Sequence, residues 1–155
     1  MTIDAGDKAP GFVLPTDGGG EVSLSGMEGK TLILYFYPKD NTPGCTTEAC
    51  AFRDAQPNFS KIGAEVIGVS KDSVRKHDNF KKKHGLTFRL ASDADNDVCE
   101  RYGVWQEKSM YGRKFMGIER STFLIDGNGI VRKAWRKVKV AGHADAVLAE
   151  AQSVS

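Results

Sequence analysis

The sequence predicts an α/β domain with a mixed central sheet and helices on both of its faces. Apolar, β-favouring runs alternate with helical stretches in the order βαβα, and a β-hairpin and a last helix follow. The 155 residues show no internal repeat or low-complexity linker. A chain of this size buries about 70% of its unfolded surface around one core. Residues 1–155 are therefore expected to form a single domain.

The first elements are short. Residues 12–14 form a predicted strand, residues 16–20 a turn, and residues 21–24 alternate polar and apolar side chains as the second arm of a hairpin would. Residues 31–37 are an unbroken apolar and aromatic run, which is typical of a strand covered on both faces. This run is the predicted central strand.

A turn and a helix follow the central strand. Pro38 ends the strand, and residues 42–44, Thr-Pro-Gly, supply a possible N-cap oxygen and a preset φ just ahead of Cys45. A helix is predicted over residues 45–56, with Pro57 as its end. Cys45 is thus expected in or next to the first turn of a helix.

The later elements continue the alternation. They are a strand over residues 65–70, an amphipathic helix over 74–84, a strand over 88–91, a short helix over 96–102, a hairpin that pairs 121–125 with 130–138, and a helix over 143–152. Strand, helix and strand at this spacing imply a parallel crossover. Residues 104–116 carry aromatic side chains among Gly and charged residues, which predicts a long loop or an irregular hairpin.

Charge and hydropathy exclude two classes of partner. The net charge is +2 and basic residues are interspersed with acidic ones, so no nucleic-acid-binding surface is predicted. No apolar run approaches the roughly 20 residues of a membrane span, and the N-terminus lacks the layout of a signal peptide. A cytoplasmic protein without a membrane partner is expected.

The chain has three cysteines, an odd number that does not suit a structural disulfide framework. A helix N-terminus favours the thiolate over the thiol, and Cys45 is placed for that effect. Free cysteine is also often a small buried hydrophobe. The Thr-Pro-Gly turn before Cys45 and the polar residues after it favour the reactive interpretation.

Cys50 lies five residues after Cys45. In a regular helix this separation is about 500° of rotation and about 7.5 Å of rise, which places the Cα atoms roughly 8.6 Å apart. A disulfide usually needs Cα atoms within about 6.8 Å. If the two thiols react, the first turns of the helix must unwind, which suits a redox cycle better than a permanent crosslink. An inert, buried Cys50 remains the alternative.

Metal and hydrolytic chemistry find little support. A structural zinc site needs four ligands, and the chain has no second cysteine pair. His77, His84 and His143 are expected to face solvent, and no sequence feature brings a histidine to Cys45 for hydrolysis. No metal and no cofactor are predicted.

Residues 38–45, PKDNTPGC, have the form P-x-x-x-T-x-x-C. This pattern resembles the active-site motif of peroxiredoxins, and Cys50 resembles the second cysteine of their bacterioferritin-comigratory-protein (PrxQ) branch. The resemblance extends along the chain through three further segments, which are residues 92–93, 102–104 and 120–126. It implies a thioredoxin-like fold with an N-terminal extension and a thiol-dependent peroxidase activity.

The resemblance also implies roles for individual residues. Cys45 would attack the O–O bond of hydrogen peroxide or an organic hydroperoxide and become a sulfenic acid. Thr42 would hydrogen-bond the reacting atoms, and Pro38 would shield the sulfur from water. Arg120 would stabilise the thiolate and the developing negative charge, and Glu48 could orient Arg120.

The same resemblance implies that Cys50 condenses with the sulfenic acid and that thioredoxin or a similar dithiol reduces the disulfide. It also implies a monomer. Cys99 matches no motif position and is expected to be an ordinary, partly buried thiol, with a backup resolving or regulatory thiol as the alternative. Two alternatives stay open from the residues alone, a dithiol–disulfide oxidoreductase and a non-catalytic redox sensor. Efficient turnover with peroxide would separate the peroxidase from both.

Overall fold

A computed structural model describes residues 3–154 of the protein. These residues form nine strands and four α-helices. The strands are β1 (Val13–Pro15), β2 (Glu21–Ser23), β3 (Thr31–Phe36), β4 (Ala64–Ser70), β5 (Arg89–Ser92), β6 (Trp105–Met110), β7 (Arg113–Ile118), β8 (Ser121–Ile125) and β9 (Val131–Trp135). The helices are α1 (Pro43–Lys61), α2 (Val74–His84), α3 (Val98–Arg101) and α4 (His143–Val154).

Five strands form the central sheet in the order β5-β4-β3-β8-β9. β3, β4 and β5 are parallel, which confirms the predicted crossover, and β8 and β9 are antiparallel to their neighbours. The predicted hairpin near the N-terminus is also confirmed, because β1 and β2 pair antiparallel in a separate small sheet. In α2, Ser73 accepts a hydrogen bond from the amide of Lys76 and caps the helix.

The central strand β3 divides the interior into two cores. Leu32, Leu34 and Phe36 point to the face that is covered by the β1–β2 hairpin and α3. Ile33 and Tyr35 point to the opposite face, against apolar side chains of α1, α2 and α4. Helices therefore lie on both faces of a mixed sheet, and the predicted α/β, thioredoxin-like class is confirmed.

The pairing of β3 with β8 brings the segment before β8 next to the end of β3. Phe36, the last residue of β3, is the register partner of Ser121, the first residue of β8. Arg120 therefore lies at the edge of the sheet where β3 ends and the loop to α1 begins. The N-terminus of α1 and the segment before β8 meet at this edge.

The predicted end of α1 at Pro57 is wrong, because the helix continues through Pro57 to Lys61. A proline inside a helix removes the hydrogen bond to the carbonyl four residues earlier, at a cost of about 3 kcal/mol. Phe52 and Phe59, on either side of Pro57, are fully buried in the same core. Burying each phenyl ring contributes about 1.5–3 kcal/mol, which offsets the loss of the helical hydrogen bond at Pro57.

Residues 104–116 are more regular than predicted. β6 and β7 form an antiparallel hairpin with six register pairs, from Trp105↔Ile118 to Met110↔Arg113. Tyr111 and Gly112 make the two-residue turn, and both have a positive φ, 52° and 76°. Such a turn matches the twist of the flanking strands. The sequence-based prediction allowed a hairpin but missed its regular pairing, because Tyr rarely occupies this conformation.

Among residues 3–154, none of the helices combines the length and the apolar composition that a membrane span requires.

Candidate active site

Cys45 is the third residue of α1 and is 1% exposed. Thr42 is the N-cap residue, with extended backbone angles, and its carbonyl accepts the first helical hydrogen bond from the amide of Thr46 at 2.9 Å. Pro43 occupies the first helical position, where its missing N–H costs nothing. The placement of Cys45 in a helical first turn is confirmed.

The Thr42 hydroxyl does not accept the N-cap hydrogen bond that the sequence predicted. It donates to the carbonyl of Lys39 at 2.8 Å and accepts no bond from a helix amide. This bond closes the turn between β3 and α1. Pro38 lies at the start of the same turn and is half-buried, as Thr42 is.

Arg120 connects Cys45 to Glu48. Its Nη2 atom donates to Sγ of Cys45 at 3.3 Å, and its Nη1 atom donates to Oε1 of Glu48 at 2.6 Å. The Arg120 side chain is 16% exposed and that of Glu48 is 1% exposed. A cation held by two partners in a mostly dry site stabilises negative charge on the sulfur more strongly than a hydrated cation would.

Glu48 and Arg120 affect each other's ionisation. Burial raises the pKa of the Glu48 carboxyl to about 7, although the facing Arg120 guanidinium lowers it. Burial disfavours the charge on Arg120, but the Glu48 carboxylate and the Cys45 sulfur outweigh this and raise the pKa of Arg120. Oε2 of Glu48 has no hydrogen-bond partner among the described residues. Glu48 thus holds Arg120 with one oxygen, while the other is desolvated.

All three cysteines are free thiols. Cys45 and Cys50 lie in one unbroken helix, and Cys50 is half-buried. Cys99 is fully buried in α3, where burial and the nearby Asp93 carboxylate raise the pKa of its thiol. A buried thiol of this kind is inert. The structure therefore brings Cys45, Glu48 and Arg120 into direct contact and leaves both other cysteines outside that cluster.

Two histidines are placed differently from the prediction. His77 and His143, expected to face solvent, are 0% and 6% exposed. His77 contacts the Asp40 carboxylate, and His143 contacts the Thr122 hydroxyl at 2.8 Å. Their partners lie 37 and 21 residues away, so no local pattern identifies them. The one available signal is the spacing of His77 and Phe80, which puts both on the inner face of α2.

Known families and proteins match most of the chain. The AhpC/TSA family model matches residues 5–134. A putative peroxiredoxin bcp of Coxiella burnetii is 57% identical over 143 residues, covering 92% of this chain and 95% of that protein. Peroxiredoxin Bcp of Bacillus subtilis is 54% identical over 143 residues, covering 92% and 91%.

Solved structures agree with the sequence relatives. The bacterioferritin comigratory protein of Xanthomonas campestris superposes with a TM-score of 0.88 at 52% identity, covering 92% of this chain and 90% of that one. A cysteine-to-serine mutant of Xylella fastidiosa PrxQ superposes with a TM-score of 0.93 at 44% identity, covering 99% and 98%. The chain belongs to the AhpC/TSA family and, within it, to the Bcp/PrxQ branch of the peroxiredoxins, which makes it a thiol-dependent peroxidase.

Proposed function

We propose that Cys45 is the peroxidatic cysteine and Cys50 the resolving cysteine of this peroxidase. The observation that carries the proposal is the contact of Arg120 Nη2 with Cys45 Sγ at 3.3 Å, in a helical first turn. Two sources of positive charge, the guanidinium and the helix N-terminus, converge on one buried sulfur. Cys50 lies in the second turn of the same helix, farther from the N-terminus and only half-buried.

In the first step the Cys45 thiolate attacks the terminal oxygen of a hydroperoxide. The S–O bond forms as the O–O bond breaks, and the departing alkoxide or hydroxide takes up a proton to give an alcohol or water. Arg120 stabilises the charge that spreads over these atoms. Thr42 hydrogen-bonds the peroxide, and Pro38 limits access of water to the sulfur.

In the second step the Cys50 thiolate attacks the sulfur of the Cys45 sulfenic acid. The S–S bond forms, and the hydroxyl leaves as water after taking up a proton. An intact helix holds the Cα atoms of these residues about 8.6 Å apart, too far for a disulfide. The first turns of α1 must therefore unwind, which separates both Cys45 and Glu48 from Arg120.

Contacts directly after Cys50 hold the rest of α1 in place and would limit such unwinding to its first turns. Arg53, three residues after Cys50, donates through Nη1 to the carbonyl of His84 at the end of α2, at 2.7 Å. Phe52 is fully buried beside it. The segment from Pro43 to Cys50 can thus open locally while the rest of α1 remains packed.

A dithiol reductant of the thioredoxin type completes the cycle by exchange with the Cys45–Cys50 disulfide. Hydrogen peroxide and organic hydroperoxides are the proposed substrates, and an alkyl peroxide reduction activity is named for the Xanthomonas campestris relative. Because both thiols lie in one chain, the cycle needs no second subunit. We expect a monomer that acts in the cytoplasm, where thiols are kept reduced.

Two variants test the assignment in a peroxide-consumption assay coupled to a thioredoxin system. Cys45→Ser should abolish consumption. Cys50→Ser should still react once with peroxide, leave a sulfenic acid that a dimedone probe captures, and lose turnover. Cys99→Ser is the matched control and should turn over like the wild type. Retained turnover in Cys45→Ser would overturn the assignment.

A further inference from the structure

Three polar side chains are enclosed beneath the loop that carries Thr42. Tyr37 and His77 are 0% exposed, and Asp40 is 7% exposed. Tyr37 donates its hydroxyl to Oδ1 of Asp40 at 2.5 Å, and Nδ1 of His77 lies 2.7 Å from Oδ2 of the same carboxylate. Nε2 of His77 lies 3.0 Å from the carbonyl of Ala91 in β5. The sequence motif gave no role to any of these three residues.

The hydrogen bonds of His77 and Asp40 imply that these two side chains together carry no net charge. The Ala91 carbonyl can only accept, so Nε2 of His77 carries a hydrogen. One further proton lies between Nδ1 and Oδ2, because two bare acceptors 2.7 Å apart would repel. Either an imidazolium faces a carboxylate, or a neutral ring faces a protonated carboxyl. In both arrangements His77 and Asp40 compensate each other inside the protein.

The surroundings of the pair come from four elements. Tyr37 follows β3. Burial is the main cause that raises the pKa of its hydroxyl, and the neighbouring Tyr35 and Asp40 add to the effect. The hydroxyl therefore remains a hydrogen-bond donor. Asp72, after β4, accepts a hydrogen bond from the backbone amide of Asp40 on Oδ2 at 2.8 Å. Nζ of Lys76 in α2 lies 4.0 Å from Oδ1 of Asp72. The Ala91 carbonyl completes the set.

Asp40 is fixed at both its side chain and its backbone, and it lies two residues ahead of Thr42. Asn41, between them, has a left-handed φ of 64°, a turn conformation that asparagine adopts more readily than most other non-glycine residues. The Thr42 hydroxyl then bonds back to Lys39. The position of Asp40 thus determines the path of the chain into the first turn of α1.

We propose that His77, acting through Asp40, is a positioning residue for the reaction of Cys45 with peroxide. This proposal rests on the proposed function, because it assigns His77 a role at the same site. His77 belongs to α2 and touches no reacting atom. Its ring holds the Asp40 carboxylate, Asp40 holds residues 38–42, and these residues place Thr42 and the helix N-terminus against the peroxide. Without the ring, Oδ2 of Asp40 loses its partner and only the Tyr37 hydroxyl still holds the carboxylate, which then turns toward water and moves the loop with it.

The test measures oxidation of Cys45 in the full-length protein by rapid mixing with hydrogen peroxide. His77→Phe should lower the second-order rate constant by about 10- to 100-fold, the usual effect of a displacement of about 1 Å at a reacting centre. His77→Asn should recover most of the rate, because its amide can donate to Asp40 from the position of Nδ1. Tyr102→Phe removes a partly buried hydrogen bond to the Pro10 carbonyl in the core on the other face of the central sheet, and should leave the rate unchanged.

A folded His77→Phe variant with the wild-type rate would overturn the proposal. So would a His77→Asn variant that is no faster than His77→Phe, since rescue distinguishes positioning from general destabilisation. If His77→Phe does not fold, Asp40→Asn serves in its place and should lower the rate, because its amide cannot accept from both Tyr37 and His77 as the two carboxylate oxygens do. A folded Asp40→Asn variant with the wild-type rate would overturn the proposal. Turnover that persists in Cys45→Ser would instead overturn the assignment of the peroxidatic residue.

Discussion

The guanidinium of Arg120 occupies the space that a side chain on Gly44 would need. A Cβ atom on Gly44 would lie 3.2 Å from Nη2 and 3.9 Å from Cζ of Arg120. The same Nη2 atom donates to Cys45 Sγ at 3.3 Å, and Nη1 is held by Glu48. Arg120 must therefore shift by a few tenths of an ångström to admit a new methyl group, and this shift changes the geometry of its contacts with Cys45 and Glu48.

Gly44→Ala is expected to slow the reaction of Cys45 with peroxide by about tenfold through this displacement. Alanine favours a helix over glycine by about 1 kcal/mol, so the thermal stability should be unchanged or higher. Rapid-mixing kinetics and a thermal melt check the two effects. Gly11→Ala is the control, because a Cβ there meets nothing within 4 Å. A Gly44→Ala variant that is as fast as Gly11→Ala would contradict the geometry.

Glu48 should make the protein less stable as the pH rises. Burial raises the pKa of its carboxyl in the folded state to about 7, from 4.5. Between these values the folded state binds more protons than the unfolded state, so the free energy of unfolding falls with increasing pH. Glu48→Gln should remove this loss, and its stability relative to the wild type should rise across the same window by about 1–3 kcal/mol.

Urea denaturation at a series of pH values measures this difference. Glu28→Gln, an exposed substitution, is the control and should show no such trend. A stability difference between Glu48→Gln and the wild type that stays constant from pH 4.5 to 7 would contradict the buried carboxyl.

His143 should give the opposite slope. Burial, with a smaller effect of Arg120, lowers the pKa of its ring to about 4, from 6.5. The unfolded state then binds more protons in this window, so stability is fully present above pH 6.5 and is lost as the pH falls toward 4. Glu48 and His143 therefore offset each other in the wild type over the pH range where both act.

His143→Gln keeps a polar group near Thr122 and removes the titration. Its stability relative to the wild type should rise as the pH falls from 6.5 to 4. His84→Gln, a half-exposed histidine at the end of α2, is the matched control. The same denaturation series serves, and a relative stability that falls with acidification would contradict the expected slope.

Pro57 offers a test of the extended α1. Pro57→Ala restores the hydrogen bond to the Arg53 carbonyl and removes the clash of the ring, so the free energy of unfolding should rise by about 1–3 kcal/mol. Asn58→Ala, at the next exposed position, should give a smaller gain. Chemical denaturation compares the two variants. A loss of stability in Pro57→Ala would mean that the proline ring is compatible with the helix and limits the unfolded chain.

Part of this site could be predicted from local sequence. The buried run of residues 31–37 and the Thr-Pro-Gly turn place Cys45 at a helix start, and the structure confirms it. The contact of Arg120 with Cys45 spans 75 residues of sequence, so only the family resemblance indicated it. The strand register Phe36↔Ser121 is the physical cause of that contact, and no local pattern encodes it.

Other features depend on tertiary packing and could not be predicted. His77 lies on a helix whose other face is basic, and its buried ring is matched to a partner, Asp40, on the distant loop between β3 and α1. α1 passes Pro57 because Phe59 is buried beyond it, which outweighs a strong local signal to stop. In both cases the burial of one side chain decided against the expectation from residue type.

The most direct test of the proposed cycle identifies the disulfide formed in one turnover. Reduced protein receives one equivalent of hydrogen peroxide, free thiols are alkylated under denaturing conditions, and peptides are analysed by mass spectrometry. The expected product is a Cys45–Cys50 link within one chain, with Cys99 alkylated. A Cys45–Cys99 link, or a link between two chains, would contradict the proposed roles of Cys45 and Cys50.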